Sequence, residues 1–172
     1  MINPKLQDAL NKQINAELYS SYLYFSMSAF FEDKNLKGMA HWMKMQAQEE
    51  MVHVLKFCDF LNDRGGRVLL DAIDKPPAEW NSPLHAFEEA YKHEQKVTAL
   101  INDLVDLAVS LKDHAANSFL QWFVDEQVEE EASADEIVQN LKLVGEHPQG
   151  LFMLDKDLSS RSAPSLTAAD GE

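Results

Sequence analysis

The sequence predicts an all-α fold: a four-helix bundle of two antiparallel hairpins joined by a long crossover, followed by a short fifth helix. Three observations carry this. The chain has only 6 Gly and 6 Pro in 172 residues and is rich in Leu, Ala, Glu, Gln, Lys and Met, the residues that suit helices. Apolar residues recur in steps of three and four over four long stretches. Cap-and-proline starts and glycine stops separate those stretches.

Asn3-Pro4 offers an N-cap and a proline at the first helical position, opening a first helix to about Asp33. Lys34-Asn35 breaks it, and a second helix runs from about Leu36 to Arg64, where Gly65-Gly66 ends it. Ser82-Pro83 repeats the start signal for a third helix to about Lys112. Asp113 caps a fourth, which Gly145 closes, and His147-Pro148 begins a fifth over roughly Gln149 to Leu158. The breaks within each pair are short enough to make antiparallel hairpins. The 17 residues from Gly66 to Ser82 show no helical pattern. Extended, they reach ~56 Å, against ~43 Å for the second helix, so this segment can cross the full bundle. Residues 1–160 form one expected domain, and residues 161–172, small and polar, an expected disordered tail.

The net charge of −14, with no basic block, argues against a nucleic-acid surface and for attraction of cations. Leu18 to Phe31, the most apolar run, has 14 residues, short of the ~20 that span a bilayer. Met1-Ile2-Asn3-Pro4 leads into a polar segment with no secretory pattern. Cys58 is the only cysteine, which suits a reducing compartment. A cytoplasmic protein without membrane or nucleic-acid partners is expected.

Each long helix places ionisable or amide groups on its inward stripe. The first reads Leu6, Leu10, Gln13, Glu17, Ser20, Tyr24, Met27, Phe31, and the second Met43, Ala47, Glu50, Val54, Phe57, Leu61 with His53 flanking. The third reads Phe87, Tyr91, Glu94, Val97, Ile101, Val105, and the fourth Leu120, Phe123, Gln127, Glu130, Ala134, Ile137, Leu141. Glu17, Glu50 and His53 are spaced by 33 and 3 residues, and Glu94, Gln127 and Glu130 repeat both intervals after a shift of 77. The same shift lays Glu49 on Glu126. Glu50-x-x-His53 is the helical ligand pair that bundle-core dimetal sites use. An isolated Glu-x-x-His means little; the doubled spacing at matching depth on four helices means much more. Four converging carboxylates would repel one another and cost several kcal/mol to bury unpaired. Two divalent cations neutralise them, and oxygen donors with an imidazole suit iron or manganese. His41, His85, His93, His114 and His147 read as surface or cap residues, and the methionines as core or interface filler.

Over residues 1 to about 160 the chain resembles the haem-free bacterial-type ferritins. The resemblance rests on Asn15-Ala16-Glu17-Leu18-Tyr19, Gln48-Glu49-Glu50-Met51-Val52-His53, Tyr91-Lys92-His93-Glu94-Gln95, Phe119-Leu120-Gln121-Trp122-Phe123 and Glu126-Gln127-Val128-Glu129-Glu130. It implies a ferritin-like bundle with a ferroxidase centre. Glu17, Glu50 and His53 would hold the first iron; Glu50 and Glu94 the second, with Gln127 close by and Glu130 a further ligand. Glu49, Glu126, Glu129 and Glu130 match a third iron site, and Tyr24 the tyrosine beside the centre. Two Fe²⁺ held together would give O₂ two electrons at once, and Trp122 would help orient the ligands. The resemblance further implies a cage of twenty-four identical subunits around a ferric mineral, with the fifth helix lining the fourfold axes.

Departures from related families shape the expectation. The acidic pair that lines the threefold pores of animal ferritins is replaced by Asn117 and Leu120, which makes that access route doubtful. Bacterioferritins repeat Glu-x-x-His on the fourth helix, where this chain has Gln127 and Glu130. Met51 stands at their haem-ligating position, yet haem is not expected. The alternative function is a di-iron oxidoreductase that consumes peroxide without storing iron. A Cys-x-x-Cys electron module would favour it and is absent.

Overall fold

The computed structural model describes residues 2–145 and 147–163 and contains five helices among them: α1 Pro4–Asp33, α2 Lys37–Asp63, α3 Pro83–Ser110, α4 His114–Val144 and α5 Pro148–Leu158. Of the expected tail, residues 164–172 lie outside the described residues. The start signals act as expected: Asn3, Ser82 and Asp113 each accept a hydrogen bond from a backbone amide of the first turn they precede. α2 has no side-chain cap of its own. Instead Asp155 Oδ1 of α5 accepts from Met39 N at 2.9 Å, so the fifth helix caps the second. Gly38 makes that approach possible, because a Cβ there would lie 1.5 Å from Asp155 O. Gly65, at φ +68°, closes α2 in the left-handed conformation that glycine adopts without strain.

α1 packs against α2 and α3 against α4 as two hairpins. The crossover returns along α1, tied to it by Gln7, Asn11 and Asn15 on successive turns and by Ser26 further along. Gln7 and Asn11 accept from Arg67 N and Leu69 N at 3.0 and 2.8 Å. Asn15 Nδ2 donates to Ala72 O at 3.3 Å, and Ser26 Oγ to Pro77 O. Trp80 is buried edge-on against Phe30. The third helix therefore starts beside the end of the first.

The core falls into two apolar clusters. One gathers Met27, Phe31, Met43, Phe87 and Leu141, the other Leu6, Leu10, Phe57, Ile101 and Phe123. The inward stripes of α1, α2 and α4 are buried as expected. On α3, Tyr91 and Val105 are only half-buried, and Ala90, Leu104 and Ala108 complete the buried face. No helix among the described residues is long and apolar enough to cross a membrane.

Candidate metal centre

Between the two clusters lies a belt of buried polar side chains with a member from every long helix. It comprises Gln13, Glu17 and Ser20 of α1, Gln46, Glu50 and His53 of α2, Glu94 of α3, and Gln127 and Glu130 of α4. Glu17, Glu50 and His53 bring ligand atoms within 4.8 Å of one another. His53 Nδ1 lies 3.3 Å from Glu50 Oε2 and 4.0 Å from Glu17 Oε2. Opposite them, Tyr24 donates its hydroxyl hydrogen to Glu94 Oε1, and Gln127 Nε2 donates to Glu94 Oε2 at 3.2 Å. A second group of the same closeness joins His53 to Glu126 and Glu130. Glu49 and Glu129 belong to neither group: Glu129 is exposed, and Glu49 is half-buried and paired with Arg161 at 2.6 Å.

The belt contains no buried lysine or arginine. Burial, then the charge of Glu50, holds the Glu17 carboxyl well above the usual carboxylate range. Burial and the charge of Glu94 do the same to Glu50, and burial with Glu94 and Glu50 to Glu130. Glu94 is raised by burial and partly relieved by its bonds from Tyr24 and Gln127. Glu17 Oε2 and His53 Nε2 are buried with no hydrogen-bond partner among the described residues. Buried polar atoms without partners are costly, and a cation between them removes much of the cost. Trp122 and Phe123 meet the His53 ring edge-on at 5.5 and 5.7 Å, which fixes its plane.

Three residues act here that the sequence reading did not assign. Gln13 Nε2 donates to Glu17 Oε1 at 2.8 Å, and Gln46 Nε2 to Glu130 Oε2 at 2.6 Å. A signal existed, since each glutamine stands four residues before a site glutamate, one helical turn away. His93 corrects an expectation: it is neither a surface nor a cap residue. Its Nε2 lies 2.7 Å from Ser20 Oγ and its ring meets Tyr24 edge-on, and burial depresses its pKa to about 4. His85 does serve at a cap, accepting from Asn81 N at 3.2 Å.

The family profile described as a ferritin-like domain matches residues 7–144. A bacterial non-heme ferritin of Bacteroides fragilis (strain 638R) is 48% identical over 161 residues, covering 94% of this chain and 100% of that protein. One of Escherichia coli O6:H1 is 41% identical over 160 residues, covering 93% and 97%. Among solved structures, an open pore ferritin from Archaeoglobus fulgidus superposes with a TM-score of 0.93 at 54% identity, covering 94% of this chain and 99% of that one.

The chain belongs to the ferritin family. Iron storage with ferroxidase activity, and assembly with identical subunits, go with that membership. In this ferritin Leu120 is fully buried in the subunit's own core, and Asn117 is half-buried. Met51 is exposed on α2.

Proposed function

We propose that each subunit oxidises Fe²⁺ at a two-iron centre, with Glu17, Glu50 and His53 holding one ion and Glu50, Glu94 and Glu130 the other. Iron is the substrate, and Gln127 and Tyr24 steady Glu94 from either side. One observation carries the reading: donors from two helices lie within 4.8 Å, in a buried belt without lysine or arginine. Each Fe²⁺ loses one electron and O₂ gains two, which avoids one-electron radical products. Carboxylate oxygens are hard donors and favour Fe³⁺, so the same ligands that collect the metal promote its oxidation. Because burial raises Glu17, Glu50 and Glu130, loading with metal releases protons.

Glu49, Glu126, Glu129 and Glu130 would form a third iron position beside the centre; the grouping of Glu126 and Glu130 with His53 supports it. A cytoplasmic, haem-free cage of twenty-four subunits completes the reading. Phe152 and Met153, exposed on α5, are apolar surface that contacts between subunits would cover.

The test is anaerobic addition of Fe²⁺ to apo-protein followed by O₂, read by stopped-flow absorbance. A fast phase that saturates at two or three iron ions per subunit, followed by slow mineral growth, is expected. Fast oxidation without later mineral would indicate a di-iron oxidoreductase instead. The absence of a fast phase would overturn the centre.

A further inference from the structure

The chain end returns to α2 after α5. Ser159 N and Arg161 N still bond back to α5 carbonyls, and Arg161 is then held at several points. Its guanidinium lies over the Trp42 ring, 4.3 Å from the centroid. Nη2 donates to Glu49 Oε2 at 2.6 Å, Nη1 to Trp42 O at 3.5 Å, and Arg161 O accepts from His41 Nε2 at 2.8 Å. The helix before it is anchored by the Asp155–Met39 bond and the close approach at Gly38. Stacking, a charge-assisted hydrogen bond and a backbone anchor together make a seated side chain rather than a chance surface pair.

Glu49 adjoins Glu50 and stands close enough to Glu126 and Glu130 for its charge to bear on both. We propose that Arg161 is a built-in competitor for Glu49: its guanidinium occupies this carboxylate until a divalent cation displaces it. The third position then fills only as the C-terminal arm lets go. This rests on the third-site reading above. The hold is reversible by construction, since both partners keep part of their surface in water (20% and 24% of the side chains). With the arm down, a positive charge sits on one of the third site's carboxylates and opposes an arriving cation. With the arm up, Glu49 is free to join Glu126 and Glu130 in holding it. Filling of the third position is thereby coupled to a movement at the chain end.

Calorimetric titration of the apo-cage with Zn²⁺, a divalent ion that does not oxidise, tests this. Arg161→Ala should leave the first two ions per subunit unchanged and tighten the third about tenfold, with Arg161→Lys between the two. In a chain whose only tryptophan is Trp42 (Trp80→Phe, Trp122→Phe), fluorescence should shift as the third ion binds, and the shift should vanish in Arg161→Ala. A third ion weakened by Glu126→Gln but indifferent to Arg161→Ala would overturn the competitor alone. Weaker third-ion binding in Arg161→Ala would overturn it too, making the arginine an organiser of the site. If no third ion binds wild type or variant, the third-site reading fails and the competitor with it.

Discussion

Gln46 of α2 hydrogen-bonds Glu130 of α4 at 2.6 Å, and the same amide nitrogen lies 3.4 Å from Glu50 Oε1. One buried amide thus sets the spacing of two carboxylates on different helices. Gln46→Leu keeps the volume and removes the donor. Oxidation should slow about tenfold through misplaced ligands, and the apo-protein should lose about 1–2 kcal/mol. Stopped-flow kinetics and denaturant unfolding measure the two effects, and wild-type kinetics would show that Glu130 needs no such support.

Removing a site carboxylate should separate activity from stability. Glu50→Gln is expected to abolish the fast oxidation phase while raising apo-protein stability by about 1–3 kcal/mol, because it relieves repulsion among buried charges. Lower apo stability would mean that the carboxylates are not in conflict.

Acidity should stabilise the empty site. The folded-state pKa values of Glu17, Glu50 and Glu130 lie above their unfolded value. Their contribution to stability is therefore complete below that unfolded value and is lost as pH rises through the raised ones. Apo-protein should melt at a higher temperature near about pH 5.5 than near about pH 7.5. Metal-loaded protein should show the reverse trend, since protons compete with the cation for the same oxygens.

Arg64 and Asp113 tie the end of α2 to the start of α4 through two parallel bonds of 2.9 Å. Asp113 also caps α4 through Ala116 N at 3.0 Å. Asp113→Ala should cost about 2 kcal/mol, and Arg64→Ala nearer 1 kcal/mol because the cap survives. Neither should alter iron oxidation. The bond from Arg64 holds the Asp113 carboxyl below its ordinary pKa, so this link is intact above that ordinary value and fails as pH falls through the lowered one.

Gly38→Ala should undock α5, since the new methyl would collide with Asp155 O. Hydrogen exchange should show α5 amides and Met39 N, at the start of α2, losing protection while the helical turns around Glu17, Glu50, Glu94 and Glu130 keep theirs. An unchanged exchange pattern would mean that α5 shifts to make room.

The helices and their ends were legible because their signals are local: Asn3-Pro4, Ser82-Pro83, Asp113 and Gly145 each act within one turn. The polar belt was legible because four stripes carry acid or amide at one depth with a doubled interval. His93 escapes the pattern because it flanks the stripe, and the approach of Tyr19, Ser20 and Tyr24 from α1 covers it. The pairing of Arg161 with Glu49 spans 112 residues, and no helical period links those positions. The role of Gln46 at Glu130 likewise needs the crossing of α2 and α4, which spacing along one helix does not specify.

The crossover gives the polar belt a further meaning. Each hairpin carries one of the two equally spaced triplets, Glu17, Glu50, His53 and Glu94, Gln127, Glu130, so the chain can be regarded as a tethered dimer of two similar halves. The strap pinned along α1 by Gln7, Asn11, Asn15 and Ser26 makes their meeting an intramolecular encounter at high local concentration. It also opposes a slip of one helical turn, ~5.4 Å, which would bring the two triplets to different depths. The proposed centre thus draws on residues outside the belt: a row of amides and a hydroxyl that keep two halves in step.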